Sequence, residues 1–122
     1  MKHKVLLVDD SGLARRSMRA VLEPSGFEVI EAEDGMVALE MYFAQKPDVV
    51  MLDLVMKGMY GLDVLAKLRE LDPAARVIVV SADVQSSSQE LVQAAGASGF
   101  VIKPVDREQL LSAIHRAFEG QP

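Results

Sequence analysis

Asp9 and Asp10 close an apolar run at residues 5–8, Asp53 closes another at 49–52, Ser81 follows one at 77–80, and Lys103 follows one at 100–102. Charged side chains are seldom buried without partners, so acids at the ends of such runs call for a chemical reason. Three carboxylates brought together repel one another, and they stay ionised most readily around a hard divalent cation. Oxygen ligands in octahedral array suit Mg²⁺. An ionised Asp53 in that setting can attack phosphorus and form an aspartyl phosphate, as carboxylate nucleophiles do. Charge spread over the transferring group's oxygens must then be met by the metal and by fixed donors. Ser81 offers a hydroxyl for this, and Lys103 a compact ammonium on a flexible stem. Each residue alone has a plainer reading: Asp9 and Asp10 as a strand end and helix cap, Ser81 as a strand-end hydroxyl, Lys103 as a loop residue. It is their coincidence that favours metal and phosphate chemistry.

Such a coincidence requires a scaffold that delivers several chain segments to one edge. Five short runs rich in β-branched residues, at 5–8, 27–30, 49–52, 77–80 and 100–102, read as strands buried on both faces. Between them the spacing is helical: Leu13, Ala14, Met18, Val21 and Leu22 share one face, with Arg15, Arg16 and Arg19 on the other. Leu110, Leu111, Ile114 and Phe118 repeat the pattern, behind an Asp106 cap to which Gln109 can reach back. A fourth helix is expected near 89–95, after a polar, serine-rich stretch at 84–88. Pro24-Ser25-Gly26, Pro47, Pro73 and Gly96 all fall between elements. Strand and helix alternating five times predict an α/β fold, a doubly wound five-stranded parallel sheet, because parallel neighbours need a crossover of a dozen or more residues. Ligands in open sheets of this class bind outside the carboxyl ends of the strands, which is where the polar residues fall. With no repeat, linker or low-complexity stretch, residues 1–122 are expected to form one domain.

Composition narrows the function classes. Eighteen acidic against 13 basic residues leave a net charge of −5, which disfavours direct binding to nucleic acid or to an anionic membrane. The absence of cysteine excludes disulfides and thiolate metal sites. The apolar run after Met1-Lys2-His3-Lys4 is too short for a signal peptide or a membrane span, so a soluble, cytoplasmic protein is expected. The first turn, Asp9-Asp10-Ser11-Gly12, is acidic rather than glycine-rich, which argues against a dinucleotide site.

Asp9-Asp10, Asp53, Ser81 and Lys103-Pro104 resemble, in type and in order, the hallmark residues of the receiver domain of bacterial two-component response regulators. Local strings extend the resemblance along nearly the whole chain: Val5-Leu6-Leu7-Val8-Asp9-Asp10-Ser11, Ala94-Ala95-Gly96-Ala97 and Val101-Ile102-Lys103-Pro104. The resemblance implies a (βα)5 flavodoxin-like sheet with strand order 2-1-3-4-5. It implies that Asp10 and Asp53 ligate Mg²⁺ directly, Asp9 through water, and that the main-chain carbonyl of Val55 completes the protein's share. Ser81 and Lys103 would hold the phosphoryl oxygens, and Asp53 would accept the phosphoryl group. A histidine kinase or phosphotransfer protein would be the donor, and a downstream protein would be met through the surface of the fourth helix, fifth strand and fifth helix. Phe100 occupies the family's aromatic switch position, although an aromatic in a strand is more often core packing. The expected state is a monomer or a phosphorylation-dependent dimer. The domain would signal rather than act as an enzyme, assisting only its own phosphorylation and dephosphorylation.

The chain departs from the family pattern after the acceptor, where it reads Met56-Lys57-Gly58-Met59-Tyr60-Gly61, with Lys57 in place of the usual proline. Val55 stands where many relatives carry a polar side chain near the attacking water, and Asp83 is expected to add a carboxylate at the rim. Both predict an unusual phosphate lifetime. Met51 and Met56 are expected in the core, Met59 in the core or at a partner surface, and His3 and His115 at the surface. Two rival readings share the fold. An aspartyl-nucleophile phosphatase would need a general acid at position 55, where this chain has valine. A receiver-shaped docking module that is never phosphorylated would have no use for the intact acids.

Overall fold

The computed structural model describes residues 2–56, 58, 60–82 and 86–119. Five strands alternate with five helices: β1 (Lys4–Val8), α1 (Gly12–Leu22), β2 (Glu28–Ala32), α2 (Gly35–Gln45), β3 (Val49–Asp53), α3 (Gly61–Leu71), β4 (Val77–Ser81), α4 (Ser86–Ala94), β5 (Gly99–Ile102) and α5 (Arg107–Glu119). The strands form one parallel sheet in the order β2-β1-β3-β4-β5. The expected fold class and strand order are therefore observed. Among the described residues, no helix is long and apolar enough to cross a membrane.

Sheet position accounts for the strand compositions. The central strands β3 and β4 are buried at every residue, as their unbroken apolar runs require, whereas the edge strands β2 and β5 keep exposed positions. Successive side chains alternate between the faces, and two cores result. Val5, Leu7, Val49, Met51, Ile78, Val80 and Val101 pack under α1 and α5, with Met18, Leu22, Leu110 and Ile114. Leu6, Val8, Val50, Leu52, Val77 and Val79 pack on the other face, with α2, α3 and α4. Met51 and Met56 are core residues, as read from the sequence, and His3 and His115 are exposed.

Local signals set the helix ends. The Ser11 hydroxyl accepts from the Ala14 amide at 3.1 Å and starts α1, and Asp34 does the same for α2 through the Val37 amide at 2.9 Å. Asp106 accepts from the Gln109 amide at 3.3 Å, which supplies the forward half of the expected capping box. Helix α4 begins earlier than the spacing predicts, at Ser86 rather than near residue 89.

Two expectations need correction. Leu13 was expected on the core face of α1, yet it is 70% exposed, lining an open groove with Pro104 and Val105 rather than packing against the sheet. Arg15 and Arg19 were expected on the solvent side, but both are half-buried against Glu31 of β2. The readings placed on Lys57, Met59 and Asp83 lie outside the described residues.

Candidate metal centre

Parallel pairing brings the carboxyl ends of β1, β3, β4 and β5 side by side, and the polar residues arrive there together. Val8 pairs with Leu52, Asp53 with Val80, and Ser81 with Ile102. Carboxylate oxygens of Asp9, Asp10 and Asp53 all lie within 4.8 Å of one another. Asp9 is 1% exposed and Asp53 7%, while Asp10 faces outward. Two acids are thus sunk into the sheet edge and one guards its mouth.

Lys103 reaches into the same cluster. Its Nζ donates to Asp9 Oδ2 at 2.9 Å and approaches Asp53 Oδ2 at 3.4 Å. The other oxygen of Asp9 accepts from the Ser11 amide at 2.9 Å, and Asp53 Oδ1 accepts from the Val55 amide at 3.3 Å. Burial and the charge of Asp9 push the Asp53 carboxyl above the ordinary carboxylate range, outweighing the pull of Lys103 and of the Val55 amide. For Lys103, burial acts against the charge. The hydrogen bond to Asp9 and the charges of Asp53 and Asp9 prevail, and the ammonium titrates above an ordinary lysine. Lys103 thus does not bring Asp53 back to the ordinary carboxylate range, and a cation bound beside it would relieve the charge that remains.

Ser81 ends β4, 1% exposed, and its carbonyl accepts from the Lys103 amide at 2.8 Å. By strand alternation it belongs to the face of Val77 and Val79, opposite to that of Asp53, whose parity is that of Val49 and Met51. Phe100 is on the Ser81 side, half-buried against the core beneath α4, and pairs in register with Val79. Val55 is 68% exposed, with its backbone held against Asp53.

Two features of the site arise only in the tertiary structure. The first is the tight seat of α3: a Cβ on Gly61 would lie 2.3 Å from the Asp53 carbonyl oxygen and 2.6 Å from Leu54 Cα. The resemblance calls for a glycine in this region, but nothing local says that it touches the acceptor's own backbone. The second is Arg15, whose guanidinium donates to the main-chain carbonyl of Asp9 and to Glu31. No pattern along the chain links Arg15 to an acid on the second strand.

The response regulator receiver domain profile matches residues 5–115. The chain is 38% identical over 117 residues to chemotaxis protein CheY of Bacillus subtilis (strain 168), covering 95% of this chain and 98% of that protein. It is 40% identical over 119 residues to the nitrate/nitrite response regulator protein NarP of Escherichia coli (strain K12), which takes in 96% of this chain and 55% of NarP. A CheY-like receiver domain protein from Methanospirillum hungatei JF-1 superimposes with a TM-score of 0.92 at 26% identity, covering 99% of this chain and 97% of that one. The CheX-CheY-BeF3-Mg+2 complex from Borrelia burgdorferi matches with a TM-score of 0.91 at 33% identity, over 95% of this chain and 89% of that one. With the sheet order, the acid cluster and these matches in agreement, the chain belongs to the response regulator receiver domain family, in its CheY-like form, of two-component signalling systems.

Proposed function

We propose that this receiver domain, spanning residues 1–122, is a Mg²⁺-dependent phospho-acceptor switch in which Asp53 takes a phosphoryl group from a histidine kinase or phosphotransfer protein. The observation that carries the reading is the convergence of three carboxylates and one ammonium on a single sheet edge. The donor set fits the metal: only oxygen ligands are offered, the three acids are close enough to share one ion, and hard cations take such ligands. Asp10 and Asp53 would hold Mg²⁺ directly, Asp9 through water, with the Val55 carbonyl as a further ligand. When bound, the ion neutralises charge on the acids and on the incoming phosphoryl oxygens.

The chain's own groups supply the remainder. An oxygen of Asp53 forms the new bond to phosphorus as the bond to the donor imidazole nitrogen breaks, and that nitrogen leaves with the electron pair. Lys103, hydrogen-bonded to Asp9 and beside Asp53, is placed to follow the charge from the carboxylate onto the transferred group's oxygens. The Ser81 hydroxyl donates a further hydrogen bond to those oxygens. Asp9, held by the Ser11 amide, anchors the lysine. With valine at position 55, no side chain there orients water for hydrolysis. The domain turns over no external substrate and modifies only itself.

The signal leaves through the face of α4, β5 and α5. Phe100 borders an open groove lined also by Gln89, Val92 and Gln93, and its ring would turn inward into the space that Ser81 leaves on moving toward phosphate. Phosphorylation would bias a pre-existing equilibrium between two packings of this face, through which a downstream protein binds, or a second copy in a phosphorylation-dependent dimer. Incubation with acetyl phosphate, with and without Mg²⁺, followed by intact-mass measurement, tests the core of the reading. One phosphate on the parent only with Mg²⁺, and none on Asp53→Asn, is the expected result. A full adduct on the variant overturns the assignment of Asp53.

A further inference from the structure

The metal centre offers its ligands from two very different supports. Asp9 is buried and held at both oxygens, by Lys103 and by the Ser11 amide. Asp10 is exposed, at the start of the loop that leads into α1. The peptide that carries Asp10 helps to set where its carboxylate points, because the Asp9 carbonyl, the Asp10 nitrogen and the Asp10 Cα lie in one plane.

That carbonyl is gripped by Arg15 Nη1, while Arg15 Nε donates to Glu31 Oε1 at 2.7 Å. Glu31 in turn cannot swing: its Oε2 is held by Arg19 Nε at 2.8 Å and Nη2 at 2.7 Å, and Arg19 is tied to Glu23 at 2.9 Å. Burial opposes ionisation of Glu31, but the hydrogen bonds from Arg15 and Arg19 prevail and hold its carboxyl below the usual carboxylate range. On the near side, the Asp9 amide donates to the Ala32 carbonyl at 3.2 Å, one residue beyond Glu31. Strand β2 therefore braces the Asp9–Asp10 peptide from both ends of the Asp9 residue. The planar fork of the guanidinium allows one side chain to make both bonds at fixed angles.

We infer that Arg15 is a positioning residue for the metal centre: by bridging Glu31 to the Asp9 carbonyl, it sets the peptide plane from which Asp10 presents its carboxylate to the cation. This inference depends on the metal reading of the site. A merely structural role, stitching α1 to β2, would be shared with Arg19, which grips the same Glu31 but does not touch Asp9.

The comparison of Arg15→Gln with Arg19→Gln, in the full chain, separates the two roles. Mg²⁺ affinity is measured by calorimetry, and the Asp10 amide is followed by NMR hydrogen exchange in metal-free buffer. Outer groups that orient metal ligands are typically worth 10- to 100-fold in affinity, so Arg15→Gln is expected to weaken Mg²⁺ about 10-fold and to speed exchange at the Asp10 amide. Arg19→Gln is expected to stay within about twofold of the parent on both readouts, with a melting temperature lowered at least as much. Arg15→Lys, which keeps the charge but loses the fork, is expected to behave like Arg15→Gln. If Arg15→Gln binds Mg²⁺ as the parent does, or the two glutamine variants lose affinity equally, the positioning role is overturned while the metal centre stands. A parent chain that binds no Mg²⁺ overturns the reading of the site and this inference with it.

Discussion

Replacing Gly61 by alanine tests how closely the acceptor and helix α3 are coupled. The new Cβ would meet the Asp53 carbonyl oxygen at 2.3 Å and Leu54 Cα at 2.6 Å. Ordinary contacts begin near 3.4 Å, so the end of β3 and the first turn of α3 must part by about 1 Å. Both obstructing atoms are backbone in buried residues, and no side-chain rotation relieves them. Overpacking of this kind costs about 1–3 kcal/mol. The Gly61 amide bond to the Leu54 carbonyl, 2.9 Å long, is stretched in the same movement, at about 1 kcal/mol. Lower chain entropy in the unfolded state returns about 0.4–1 kcal/mol. The net loss of about 1–3.6 kcal/mol corresponds to a drop in melting temperature of roughly 4–14 °C for a chain of this size. A shift of about 1 Å at a reacting group can also cost about 100-fold in rate, so Mg²⁺-dependent labelling of Asp53 by acetyl phosphate is expected to slow strongly. Gly26→Ala is the control, with a positive φ of 96° but nothing within 4 Å of its Cβ; it should lower the melting temperature through backbone strain alone and leave labelling unchanged. If Gly61→Ala melts within 2 °C of the parent and labels at the parent's rate, the close seat of α3 behind Asp53 is not what holds the acceptor.

Further outcomes follow from the charges and packing of the site. Because the folded state raises the Asp53 carboxyl above its unfolded value, ionised Asp53 destabilises the fold above that raised value, and the penalty fades as pH falls through it toward the ordinary carboxylate value. Asp53→Asn should therefore melt higher than the parent at neutral pH in metal-free buffer, with the gap narrowing in acid; a variant less stable at pH 7 contradicts this. Asp10→Ala removes one of three clustered carboxylates, so metal-free melts should hold or rise while calorimetry shows Mg²⁺ binding weakened about 10-fold. A lower melting temperature with unchanged metal affinity would make Asp10 structural instead. Ser81→Ala should still accept phosphate on Asp53, but beryllofluoride with Mg²⁺ should shift the NMR amides of residues 88–96 and 99–112 less than in the parent. Equal remote shifts in the two proteins would break the link from Ser81 to Phe100.

The alternation of apolar runs with amphipathic stretches was enough to read a parallel α/β sheet, because strands buried on both faces and helices buried on one leave different periodicities in the chain. The same runs placed Asp9, Asp10, Asp53, Ser81 and Lys103 at strand ends, and hence at one edge. Local pattern reached its limit where a partner distant in the chain decides the outcome. Strand β2 was read at 27–30 but runs from Glu28 to Ala32, because pairing with Lys4–Val8 of β1 sets its register and because Glu31, a poor strand residue by itself, finds Arg15 and Arg19. Leu13 fits the apolar stripe of α1 by spacing, yet it is left exposed on an open groove beside Pro104 and Val105, residues far along the chain. The arginines opposite that stripe read as a solvated face, and burial with Glu31 turned two of them into a brace for the acid loop. The contact of Gly61 with the Asp53 backbone depends on how α3 turns back onto β3. Sequence by itself determined which chemical groups the site contains and which end of the sheet carries them, since side-chain type and periodicity are local properties. Their mutual distances, the raised Asp53 carboxyl and the Arg15 brace were decided only by the tertiary structure, since each is a sum over neighbours that the chain brings together from far apart.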